Sequence, residues 1–189
     1  MAEQATPENV TPEQFFEQLL PAGFAAQKEA GAAVPQDFSM QYHITGDGGG
    51  DWHVTIKDGT MTTKKGTDAA VLTFTLATSD FLDAIMSRNG AAPALLLPAS
   101  RPGRPDNSGR AKALKGTISQ ELSREGADPF KLDMSFNGAA TPRTVLKMKL
   151  ADFIAMQEGK LNGQEAFMTG RLRIEGDMAF MMQVAALTA

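Results

Sequence analysis

The tightest constraint on this chain is the strict alternation of apolar and polar residues over several short stretches. In residues 38–45, FSMQYHIT, Phe38, Met40, Tyr42 and Ile44 fall on one side and Ser39, Gln41, His43 and Thr45 on the other. A period of two is the spacing of side chains along a strand, so this segment reads as a half-buried strand. Residues 52–57 repeat the pattern with Trp52, Val54 and Ile56 inward, which makes GDGGGD at 46–51 a hairpin loop. The pattern continues at Leu72, Phe74 and Leu76, at 116–123 with Ile118 and Leu122, at 130–136, and at 144–150. In the last two of these Phe130, Leu132, Met134 and Phe136, then Leu146, Met148 and Leu150, face inward. Leu172 and Ile174 mark a short final strand whose other face carries Arg171, Arg173 and Glu175. Strands with one apolar and one polar face build a mainly antiparallel sheet, and helices have to cover its apolar side. The fold class is therefore α+β, a mainly antiparallel twisted sheet with helices packed on one face.

Helical signals fall between these strands. Thr11-Pro12-Glu13-Gln14 forms a capping box with proline in the first turn, and Phe16, Leu20 and Phe24, beside Leu19, give the following helix an apolar face. Pro21 is expected to kink or split that helix, which Gly31 and Pro35 close off. Lys57-Asp58-Gly59 reads as a tight turn. Ser79-Asp80 reads as the cap of a short helix bearing Phe81, Leu82, Ile85 and Met86, ended by Asn89-Gly90. Residues 91–98 form a proline-bounded apolar piece, and 99–110, rich in glycine, proline and arginine, read as a mobile connector. Arg101, Arg104 and Arg110 in it could make transient contact with a membrane surface, against the plainer reading of a solvated loop.

The last helix says most about function. From Met178 to Leu187 only Gln183 is polar. A helix apolar all round is buried on every side, spans a membrane, or covers something apolar that is not protein. Its ten or so residues are too few for a bilayer, which needs about 20, so core burial and ligand coverage remain. Eleven methionines against one tryptophan and one tyrosine suit either a surface that adapts to variable apolar shapes or a loosely specified core.

Asp152-Phe153, Gly159-Lys160-Leu161, and Ala166-Phe167-Met168 running on through Gly170-Arg171-Leu172-Arg173-Ile174-Glu175-Gly176-Asp177-Met178 together resemble the C-terminal half of the sterol carrier protein-two family. The resemblance implies a small α+β lipid carrier whose sheet and helices enclose an apolar tunnel. By position it implies that Phe153, Met156, Leu161, Phe167, Met168, Met178, Met181 and Met182 line or close that tunnel, with Trp52, Val54, Ile56, Phe81 and Ile85 as weaker candidates. Their role would be shape and desolvation, with no bond making. The final helix would have to move to admit a ligand.

The chain departs from the family pattern in one respect. VLTFTL at 71–76 followed by Asp80-Phe81 echoes VLKMKL at 145–150 followed by Asp152-Phe153, and Gly109-Arg110 with Gly116 echoes Gly170-Arg171 with Gly176. About 70 residues thus separate two versions of a pattern that an ordinary member has once. Either a hairpin is inserted into one carrier domain, or two degenerate copies, about 38–117 and 118–189, are fused within a single domain covering 11–189. Residues 1–10 are polar and expected to be disordered.

Charge and composition restrict the remaining classes. A net charge of −4 and pI near 5.2 supply no basic field for nucleic acid. With no cysteine, disulfides, thiolate metal sites and cysteine nucleophiles are absent. The start, MAEQATPENV, has neither a basic end nor an apolar run, which leads to the expectation of a cytoplasmic protein. His43 and His53 could oppose each other if Ile44 lies across from Trp52, but no third ligand is spaced for a metal, so they are taken as solvent-facing. Asp80 and Asp152 read as helix caps. Ser79 lacks a nucleophile elbow, and Lys160, Arg171 and Arg173 read as solvated charges. No enzyme, metal or cofactor is expected. The expected partner is a hydrophobic small molecule (fatty acid, acyl-CoA or sterol-like lipid), bound by a monomer or homodimer. The alternative is a non-catalytic accessory or dimerisation module that uses the final helix as its interface.

Overall fold

The computed structural model describes residues 10–29, 31, 37–91 and 108–188. It opens with α1 (Pro12–Gln14), whose Thr11 and Gln14 close the capping box, followed by a π-helical turn (Phe15–Leu19) and α2 (Leu20–Glu29). Of the two expected effects of Pro21, a kink or a split, the split does not occur: α2 runs through the proline. The Leu20 N–H bonds to the Phe15 carbonyl five residues back, so the chain widens into π geometry just before the proline, whose missing N–H and ring would disturb a regular α turn.

Strands β1 (Phe38–Thr45), β2 (Gly50–Lys57), β3 (Thr60–Lys65) and β4 (Leu72–Ala77) lead into α3 (Thr78–Ile85). Then come α4 (Ser108–Ala113), β5 (Gly116–Arg124), β6 (Ala127–Phe136), β7 (Arg143–Lys149), α5 (Leu150–Gln157), α6 (Gly163–Met168), β8 (Arg173–Gly176) and α7 (Met178–Thr188). Most of the expected mobile connector lies outside the described residues. Its last part folds as α4, and the Arg110 guanidinium donates to the Ala186 carbonyl of α7.

The strands form one mixed sheet in the order β3-β2-β1-β4-β6-β5-β7-β8. The β1–β4 and β5–β7 pairs are parallel and the rest antiparallel. The same three-strand arrangement therefore occurs twice. β2-β1-β4 is an antiparallel hairpin with a parallel third strand that runs into α3, and β6-β5-β7 is the same, running into α5. Asp80 and Asp152 are each the third residue of the helix so reached. Matching the two helix starts pairs Leu76 with Met148. Through the parallel registers Tyr42↔Phe74 and Gln120↔Leu146, Tyr42 then corresponds to Gln120.

One face of the sheet is apolar as expected, with Tyr42, Trp52, Val54, Phe74, Leu122, Phe130 and Leu132 all buried. The N-terminal helical segment and α3 pack over the first half, α5 and α7 over the second. β3, TMTTKK, is a further strand. It lies at the sheet edge and is exposed at every second residue or more, so it has no apolar phase to announce it.

Candidate functional site

The first half of the interior is filled with rings. Phe16, fully buried, stacks on Trp52 at 4.9 Å and on Phe81 at 5.4 Å, and lies 4.8 Å from the Tyr42 ring. Phe15 meets both Phe16 and Phe81 edge-on, and Tyr42 stacks on Phe74 at 4.9 Å. Burial pushes the Tyr42 phenol well above its usual range. Trp52, Val54, Ile56, Phe81 and Ile85 are all at most 3% exposed in this layer.

The second half is built differently. Trp52 pairs across its hairpin with Tyr42, whereas Leu132 pairs with Gln120, so aliphatic and amide groups stand where the first half has rings. Among the described residues the aromatic pair in this half is Phe136 with Phe180, edge-on at 6.2 Å. Phe153 and Leu161 are buried, and Met156 and Met181 are partly buried against the same core. Phe167, Met168, Met178 and Met182 are 48%, 77%, 45% and 65% exposed. Of the two outcomes its composition left open, helix α7 does not show burial on every side. It anchors through Phe180 and Val184, and its other side faces outward. Asp177 starts the helix, its carboxylate accepting the Phe180 N–H at 2.7 Å. Helix α6 is capped by Asn162, whose side-chain oxygen accepts the Gln164 N–H.

Gln120 escaped the sequence reading, although the phase Ile118-Gln120-Leu122 places it on the apolar face. It is 6% exposed, and its Oε1 is buried without a hydrogen-bond partner. A groove of about 360 Å³ lies along β4, β6 and β5, bordered by residues that include Thr75, Asp80, Ser119, Lys131, Asp133 and Arg143. Leu76, Leu132 and Gln120 also border it, while strand alternation sets their side chains in phase with the apolar face. Arg143 donates to Ser119 at 2.6 Å and to Asp133 in this groove.

Tyr42, not Ile44, lies across from Trp52, so His43 opposes Asp51 and His53 opposes Gln41. His43 Nδ1 is 2.5 Å from Asp51. His53 is buried rather than solvent-facing, 3.3 Å from the Gln41 amide oxygen, which also accepts the Asp68 N–H. Burial lowers the His53 pKa; Asp68 opposes this and Lys64 adds to it.

Neither Asp80 nor Asp152 caps a helix. The N-caps are Ala77 and Lys149, without side-chain bonds. Asp80 instead takes Arg124 and the Lys131 N–H, while Asp152 takes Arg171, so that arginine is not a free solvated charge. Lys160 pairs with Glu158. Among the described residues no group of His, Asp and Glu is placed to hold a metal, and no helix is long and apolar enough to cross a membrane.

The match to a known family falls on the second of these halves. Residues 97–189 match the SCP-2 sterol transfer family. No curated protein matches the chain. Among solved structures, the sterol carrier protein domain 2 of Helicoverpa armigera is 21% identical, with a TM-score of 0.34, over 42% of this chain and 69% of that one. Sterol carrier protein 2 from Yarrowia lipolytica, in its apo form, is 21% identical at TM-score 0.31, over 38% of this chain and 65% of that one. A sec-alkylsulfatase from Pseudomonas sp. is 13% identical at TM-score 0.23, over 95% of this chain but 16% of its own. The chain thus spans about two thirds of the first two and a small part of the third. Residues 97–189, which hold β5 to α7, are an SCP-2-like domain.

Proposed function

We propose that the chain is a non-catalytic lipid-binding or lipid-transfer protein, taking a fatty-acyl or sterol-like ligand between the β5–β7 half of the sheet and helices α5 and α7. One observation carries this reading. The family match falls on the half whose interior lacks the ring cluster that fills the other half. In this half Phe153, Met156, Leu161 and Met181 would supply apolar surface, at about 25 cal/mol per Å² removed from water. Affinity would come from desolvation, and uptake from displacement of α7, which is held by one face. The test is to purify the protein from its host, extract it with organic solvent and compare native with denatured masses. A stoichiometric lipid supports the reading. A bare mass, with no displacement of a fluorescent fatty-acid probe, overturns it.

The outward side of α7 favours a second reading, an accessory or dimerisation module. Met178 and Met182, 45% and 65% exposed, would pack on a protein partner. A bare mass together with concentration-dependent association in sedimentation supports that version.

A further inference from the structure

A buried amide oxygen without a donor is costly enough to call for an explanation. Among the described residues Trp52 Nε1 is the other such atom, but its ring is stacked on Phe16 in the filled half. Gln120 stands at the middle of β5, between Leu132 on β6 and Leu146 on β7, with Ile118 and Leu122 two residues either side. All four neighbours are at most 6% exposed, and α5 lies over β5 and β7. The corresponding place in the first half holds Tyr42, whose ring is closed in by Phe16 and Phe74. The second half thus keeps a polar, unpartnered group where the first has a packed ring.

We propose that Gln120 receives the polar head of the bound lipid, and that this head is a hydroxyl. The inference rests on the lipid-binding reading above and names the ligand chemistry of that site. A hydroxyl both donates and accepts, so it satisfies the carboxamide whichever terminal atom faces it, whereas a carboxylate offers no proton to Oε1. Because Gln120 lies at mid-strand beneath α5, the lipid enters head first and leaves its tail under α7.

The experiment uses the full chain, pyrene as an apolar fluorescent reporter, and 1-hexadecanol and n-hexadecane as competitors. Gln120→Met keeps length and volume without hydrogen-bonding atoms, and Gln120→Leu serves as a second variant should the first fold poorly by circular dichroism. In the wild type, hexadecanol is expected to displace pyrene about tenfold more tightly than hexadecane, the worth of one buried hydrogen bond. Gln120→Met removes that preference and leaves pyrene and hexadecane unchanged. Its melting temperature without lipid stays level or rises, a result that loss of a structural residue does not give. A variant that keeps the wild-type preference for hexadecanol overturns the role of Gln120 while lipid binding stands. A wild type that binds neither pyrene nor either chain overturns the lipid-binding reading itself.

Discussion

The Asp80 carboxylate and the Arg124 guanidinium meet at 2.8 Å with both side chains less than a tenth exposed. Arg124 also reaches Asp83 at 2.7 Å and lies 5.9 Å from the centre of the Phe130 ring, so one cation joins the start of α3 to the β5–β6 hairpin. Removing it leaves two carboxylates facing each other in a poorly hydrated place. Arg124→Met is expected to cost about 3–5 kcal/mol in urea unfolding. Arg171→Met, at the corresponding Asp152, should cost less, because that guanidinium is 47% exposed and water can replace it. Equal losses would show that the two pairs do the same work.

Phe16 is the centre of the first-half interior. Its truncation to alanine opens a cavity bounded by Trp52, Phe81 and Tyr42, with an expected loss of about 3–5 kcal/mol. The chain has one tryptophan, so the same variant is readable by fluorescence, and a red shift of Trp52 emission should accompany the loss. An unshifted spectrum with full stability would mean the rings are not in contact.

His53 makes stability depend on pH. Its folded pKa lies below the ordinary 6.5, because burial disfavours the imidazolium. The unfolded chain therefore binds the proton more readily than the folded one. The contribution is fully present above about pH 6.5 and is lost as pH falls through the lower, folded value. Urea midpoints measured from pH 7.5 down to 5 should decline, and His53→Gln should flatten part of that decline. A slope unchanged by the substitution would assign it to other groups.

Helix α7 should be sensitive on one face only. Phe180 is 2% exposed, and a Cβ on Gly116, whose φ is +136°, would come within 2.8 Å of its ring. Phe180→Ala should cost about 3–5 kcal/mol. Met182→Glu should change stability by less than about 0.5 kcal/mol, as for other exposed positions. If α7 is an interface, that same change lowers the sedimentation coefficient. If it is a lid, the coefficient stays put and Met182→Trp impairs probe uptake instead.

Strands were legible because alternation is local, and each inward phase named from sequence lies on the buried face. What escaped depends on partners distant in sequence. Asp80 and Asp152 look like caps within their own segments, and only the return of Arg124, 44 residues on, or Arg171, 19 residues on, makes them ion pairs. His53 is buried because Gln41 lies across from it and the chain near Asp68 folds back on that glutamine. Composition left helix α7 open between burial and coverage of a ligand, since an apolar surface does not say what covers it. Gln120 was legible in phase, but its lack of a partner is a property of the packed interior.

The doubling of the sheet bears on how it stops. β8 lies antiparallel against β7 as β6 lies against β4, so it occupies the place where a third unit would begin. It is four residues long and turns at once into α7. At the far edge β3 carries Lys64 and Lys65, each tied by an acidic partner, Asp68 or Glu13. An arrangement that could add strands without limit is thus closed by a truncated strand at one end and by charge at the other, the two devices that keep an open sheet from recruiting its own copies into a fibre.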